Sequence, residues 1–207
     1  MCLNVVLKLP DLQAEKIICF SKEIAQGNDT HFVFDGENYH PHITLYSPEY
    51  PAKNFDEVMK TVESVSKNYT PIFCRVLGFA GSQGYIGLKI DMTNEVRKLH
   101  EELVTKLNPL REGHVREKYL ADYQMNFSEE KKENIKKYGY PNSMSLYHLH
   151  LTVVRLQDEE KAAEIQKKLK PPVGDFIVSK LGVYKMGSHG TCKKLIMAFD
   201  LAAGKVV

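Results

Sequence analysis

Apolar and polar positions recur with two different periods along the chain, and the switches between them divide it into elements. Residues 2–9 are almost continuously apolar and read as a strand, punctuated by Pro10 and Asp11. Over 11–26 the apolar residues Leu12, Ile17, Ile18, Cys19 and Ile24 fall at helical spacing, with Gly27 placed to close the helix. HFVF at 31–34 reads as a short strand and DGEN as a turn. Residues 54–68 put Phe55, Val58, Met59, Val62 and Val65 on one helical face. Strands are expected over 72–80 and 84–92, joined by the turn GSQ, and a helix over 93–108. A polar, irregular stretch fills 109–146. A helix over 158–170, a strand over 176–187 and a last strand over 192–201 complete the chain.

Two stretches alternate strictly: YHPHITLY at 39–46 and YHLHLTVV at 147–154. Each is followed by a helix and then two strands, so the order of elements occurs twice. Weak local likenesses accompany it: CRVLGFAGS resembles VSKLGVYKMGS, and IGLKIDM resembles LIMAFDL. A duplicated order of this kind predicts two similar lobes related by a pseudo-twofold axis, with a cleft between them.

Alternate side chains of a strand share a face. His40, His42, Thr44 and Tyr46 are therefore expected on one side of the first stretch, and Pro41, Ile43 and Leu45 on the other. In the second, His148, His150 and Thr152 oppose Leu149, Leu151 and Val153. Each strand is apolar beneath and carries imidazole, imidazole and hydroxyl on top. Two imidazoles on opposite sides of a substrate can take a proton from an attacking oxygen and give one to a leaving oxygen. Threonine hydroxyls two residues further on can donate to non-bridging phosphate oxygens. Phosphoryl chemistry without a metal or other cofactor suits this set.

The two copies of HxT, His42–Thr44 and His150–Thr152, resemble the paired motifs of the two-histidine (2H) phosphoesterase superfamily, which includes RNA 2′,5′-ligase-like proteins and cyclic nucleotide phosphodiesterases. The likeness runs through the repeated element order over nearly the whole chain. It implies an α+β fold: one bilobal domain, 1–207, each lobe an antiparallel sheet backed by helices, facing across a V-shaped cleft. It further implies that His42 and His150 are the acid–base pair and that Thr44 and Thr152 hold the phosphate. The implied substrate is a 2′,3′-cyclic phosphate, a 2′,5′-linked nucleotide or a small cyclic nucleotide.

His40 and His148 lie outside the motif, and alternation puts them on the cleft face, where they extend the site or form its rim. Tyr46 and Tyr147 flank the motifs and are candidates to stack on a base, although Tyr147 has the wrong parity. Arg155 is a candidate phosphate ligand, but ideal alternation turns it away; only a bulge or the strand end brings it round. The insertion 109–146 holds Arg111, His114, Arg116, Lys118, Tyr119 and Tyr123, then a helix-like segment with Ser128 as cap and Gly139 as stop. It reads as a lid or specificity element, or as a solvated ornament.

Composition narrows the alternatives. With 28 basic and 26 acidic residues the formal charge is +2, too low for tracking long duplex nucleic acid but compatible with a small anionic or RNA-end substrate. The protein is expected to act as a monomer. Cys2, Cys19, Cys74 and Cys192 form no CxxC and read as reduced thiols of a cytoplasmic protein. Neither a signal peptide nor a membrane span is expected. The glycines of GFAGSQGYIG fit a hairpin turn and no phosphate-binding loop. Two rivals remain: a zinc hydrolase using both HxH pairs as ligands, and a cleft that binds an RNA end or nucleotide without turning it over.

Overall fold

The protein is described by a computed structural model covering residues 1–120 and 127–203. In chain order the elements begin β1 (Leu3–Lys8), α1 (Asp11–Ala25), β2 (Thr30–Val33), β3 (His42–Tyr46) and α2 (Phe55–Ser66). Then follow β4 (Ile72–Cys74), β5 (Val76–Ala80), β6 (Tyr85–Ile90), α3 (Asn94–Leu107) and α4 (Glu129–Tyr138). The last are β7 (His150–Leu156), α5 (Glu159–Lys168), β8 (Phe176–Val178), β9 (Lys180–Met186) and β10 (Cys192–Asp200). Local chemistry sets the helix ends. The Thr93, Ser128 and Asp158 side chains accept the backbone N–H three residues on at the starts of α3, α4 and α5. Gly139 closes α4 in the left-handed conformation, φ 68°.

Two four-stranded antiparallel sheets result, in the orders β10-β9-β1-β3 and β2-β7-β6-β5. Helices α2 and α3 back the first, and α1 and α5 the second. The buried faces meet the helices through residues such as Leu7, Ile43, Leu88, Leu103 and Leu151. Those residues are the apolar half of each alternating strand and the apolar stripe of each helix.

The lobes do not coincide with the two halves of the sequence. Each HxT strand is followed by a helix on its own sheet, after which the chain crosses and adds a pair of strands to the other sheet. The expected single strands 72–80 and 176–187 are each broken at this crossing, at Arg75 and Ser179. The first pieces, β4 and β8, leave the sheets and pair with each other, Phe73 opposite Ile177. The second pieces, β5 and β9, enter the opposite lobes. Asp175 secures one crossing by accepting the backbone N–H of Val76 at 2.8 Å.

Candidate active site

Both HxT strands carry a β-bulge at the same place. On β3, Thr44 pairs with Val6 and Tyr46 with Val5, so Leu45 is the extra residue. On β7, Thr152 pairs with Gly87 and Val154 with Ile86, so Val153 is the extra residue. A bulge reverses the alternation beyond it. His42 and Thr44, then Ser47, face one side; Leu45 and Tyr46 both go into the core. Likewise His150 and Thr152, then Arg155, share a side while Val153 and Val154 are both buried.

The side so defined is a cavity of about 460 Å³ between the sheets, with His42 and Thr44 on one wall and His150 and Thr152 on the other. Gly87, opposite Thr152, presents no side chain and leaves the floor open. The two imidazoles are held in the same way. His42 Nδ1 donates to the His40 carbonyl at 2.8 Å, and His150 Nδ1 to the His148 carbonyl at 3.2 Å. A carbonyl only accepts, so each neutral ring keeps its lone pair on Nε2. His42 is 8% exposed, and its Nε2 accepts from the Asn4 amide at 3.3 Å. Burial pushes its pKa down to about 4; the His40 hydrogen bond opposes this and the facing His150 adds to it. His150 is lowered by burial and by His148, and is the more exposed of the two.

The outer members of HxHxT part company: His40 departs from the expected cleft face and His148 keeps to it. The His40 ring lies 5.5 Å from Tyr184 and does not line the cavity, while its backbone bridges to Cys192; what it gives His42 is its carbonyl. His148 does reach the cavity, stacked on His150 at 4.9 Å. Tyr46 is fully buried, its hydroxyl donating to the Tyr138 carbonyl at 2.6 Å, so the bulge removes it from the substrate side. Tyr147 is also core, stacked at 3.8 Å on His100 and bonded to the Thr44 carbonyl. The four histidines of the two HxH pairs do not converge, because His40 turns to Tyr184. Among the described residues no three His, Cys, Asp or Glu side chains are placed to share an ion.

Arg155 comes round to the cleft side through the bulge, yet stops behind the cavity wall. Its guanidinium lies 4.6 Å from the Tyr85 ring centre, donates to the Gln83 carbonyl at 3.1 Å and contacts His189 Nδ1 at 3.0 Å. Tyr85 and His189 line the cavity in its place. Strands β6 and β7 belong to one sheet and the turn 188–190 to the other, so Arg155 ties the lobes together across the cleft.

The described parts of the insertion, 109–120 and 127–146, form a packed wall. Buried Arg111 donates to Asn108 Oδ1, the His114 carbonyl at 2.6 Å and the Lys136 and Lys137 carbonyls at the end of α4. Tyr46 takes the next carbonyl of the same helix end. Positive charge belongs at a helix C-terminus, and the last carbonyls there have no partner within the helix. Arg116, Lys118, Tyr119, Tyr140 and Asn142 reach the cavity from this segment, and Tyr123 lies outside the described residues. Arg111→Ala leaves several buried carbonyls unpaired and is expected to cost roughly 3 kcal/mol in urea denaturation. A loss below about 1 kcal/mol would mean that water replaces the guanidinium.

Sequence patterns do not single out Asn4, His189, Tyr85 or Phe34. Asn4 carries a signal, as the only polar residue between Leu3 and Leu7. Fully buried, it binds His42, Cys192 Sγ and the Gly190 carbonyl. His189 sits between glycine-rich turn residues and gives none. The hairpin glycines, read as a turn, do form one, and Gly81 and Ser82 at its tip also line the cavity.

This arrangement presents two imidazoles and two threonine hydroxyls to one cavity. Known proteins resemble this chain in sequence or in fold. The sequence matches the family model of the 2′-5′ RNA ligase superfamily over residues 22–190. No curated protein matches it. In fold it is similar to TT0787 of Thermus thermophilus: 15% identity, 99% of this chain and 100% of that one covered, TM-score 0.59. It is also similar to E. coli LigT, solved with NADP+: 12% identity, 97% and 96% covered, TM-score 0.55. A third similar structure is a phosphoesterase: 14% identity, 97% of each chain covered, TM-score 0.54. The chain thus belongs to the 2′-5′ RNA ligase superfamily and is a phosphoesterase of the two-histidine type.

Proposed function

We propose that the protein is a phosphodiesterase that opens a cyclic phosphate or cleaves a 2′,5′ linkage of a small nucleotide or RNA end, without a metal. One observation carries this reading. Two imidazoles face one cavity, each fixed as the Nδ1–H tautomer by the carbonyl two residues before it, and each followed by a threonine two residues after it.

His42, the more deeply buried, is the base: the long 3.3 Å hydrogen bond from Asn4 gives way, and the Nε2 lone pair takes a proton from water as the water oxygen bonds to phosphorus. His150, nearer solvent, carries a proton once the anionic substrate is bound. It gives that proton to the ribose oxygen as its bond to phosphorus breaks. Thr44 and Thr152 donate to the non-bridging oxygens, where charge builds up. The product is a phosphomonoester, and solvent returns the two protons to their starting places. E. coli LigT, of like fold, has been solved with phosphate and with 3′-AMP, which favours a nucleotide phosphate here.

Purified protein is expected to hydrolyse a nucleoside 2′,3′-cyclic phosphate or a 2′,5′-linked dinucleotide at an undiminished rate in excess EDTA. Activity lost on chelation and restored by zinc would move the assignment to a metal enzyme. Tight binding of these compounds without turnover would make the cleft a binding module.

A further inference from the structure

The cavity has a second cationic pole, which the histidine chemistry leaves unused. Arg116 is only 7% exposed and yet lines the cavity, with Lys118 beside it. The two cations flank one ring: the guanidinium carbon is 5.2 Å and the Lys118 Nζ 4.8 Å from the centre of Tyr119. Among the described residues neither forms an ion pair. The side-chain hydrogen bond seen for Arg116 is a long one, 3.5 Å to the Tyr119 hydroxyl, from a group with five donors.

A buried guanidinium beside a half-buried ammonium is unfavourable unless an anion joins them. Burial and the neighbouring Arg116 bring Lys118 down to about 8. The reacting phosphate already has two imidazoles and two hydroxyls elsewhere in the same cavity. The same cavity is also lined by aromatic rings, Phe34, Tyr85 and Tyr140, which suit a base or a ribose. The cavity is of a size that takes one nucleotide.

We infer that the substrate is a nucleotide with two phosphate groups, the reacting one between His42 and His150 and a second, unreactive one held by Arg116 and Lys118. The identity of the first pole rests on the phosphoesterase reading above. A planar guanidinium grips two phosphate oxygens at once, and an ammonium adds a point charge that can follow the ligand.

Calorimetric titration at fixed ionic strength with adenosine 3′-phosphate and adenosine 3′,5′-bisphosphate tests the second pole without relying on turnover. The wild type is expected to bind the bisphosphate at least about 10-fold more tightly, as one charge-assisted contact allows. In Arg116→Ala and in Lys118→Gln that advantage should fall to about 2-fold or less, with monophosphate affinity unchanged. Lys118 is partly exposed, so its variant keeps the fold even if removing Arg116 does not. Equal affinities in the wild type, no binding of either nucleotide, or equal losses for both nucleotides in the variants would overturn the inference. If a cyclic phosphate is turned over normally while the affinities are equal, the second pole fails and the enzymatic reading stands. A preserved affinity ratio without any turnover keeps the second pole and removes the enzymatic reading.

Discussion

His42→Ala and His150→Ala are each expected to lower turnover of a cyclic phosphate by about 10²–10⁴-fold, with much smaller changes in substrate affinity. The double variant should lose less than the product of the single losses, because both groups serve one reaction. The wild-type pH–rate profile should be bell-shaped, one limb for each histidine. Assigning His42 as base and His150 as acid makes a sharper demand. A leaving group already stable as an anion, such as nitrophenolate from a nucleotide ester, needs no general acid. On such an ester the loss in His150→Ala should shrink by about 10-fold or more, while that in His42→Ala should persist. A persistent loss in His150→Ala with a reduced one in His42→Ala would exchange the roles. Near-wild-type turnover in both alanine variants would remove the mechanism.

Acid is expected to destabilise the protein well before its carboxylates titrate. His100 is fully buried in α3, its Nδ1 donating to the Leu45 carbonyl and its Nε2 accepting from the Met144 N–H, both at 2.8 Å. Burial lowers its pKa to about 4, as it does for His42. The unfolded chain takes up protons at both positions near 6.5, whereas the folded chain refuses them until about 4. Stability is therefore complete above 6.5 and falls as the pH drops towards 4. The slope is about 1.4 kcal/mol per pH unit for each histidine, and the sum over the window is roughly 3 kcal/mol each. Urea denaturation at several pH values measures this. Glutamine offers both a donor and an acceptor, so His100→Gln should remove about 1.4 kcal/mol per pH unit from the slope between about pH 6 and 4.5. A flat profile over that range in the wild type would show that these rings are protonated in the folded state.

Much of this architecture is legible in the sequence because it depends on period alone. The alternation of His42, Ile43, Thr44 and of His150, Leu151, Thr152 gives a cleft face and a core face without any knowledge of the fold. The bulges at Leu45 and Val153 are not legible, because an extra residue on one strand is defined only by the partner strand. For that reason alternation alone puts Tyr46 on the cleft side and Arg155 on the opposite one. The crossings at Arg75 and Ser179 are hidden for a similar cause: Ile72–Cys74 and Val76–Ala80 read as one apolar run, and only pairing to Phe176–Val178 separates them. Asn4 shows the reverse case. One polar residue in an apolar strand is visible in the sequence, but its purpose lies in His42, on a neighbouring strand.

The strand exchange also governs the order in which the molecule can assemble as it is synthesised. Strand β1 is the first of its sheet to be made and sits between β3 and β9. Its neighbour β3 follows soon, but β9 and β10 are the last of this sheet's strands to leave the ribosome. Until then one edge of β1, carrying Val5, Val6 and Leu7, has no partner and displays free N–H and C=O groups. The other sheet can close earlier, since β7 completes it. Nascent chains halted before residue 180 would hold one finished lobe and one open edge, a form prone to pair with its own copies. Joining the lobes through late strands therefore links the making of the cleft to the synthesis of β9 and β10.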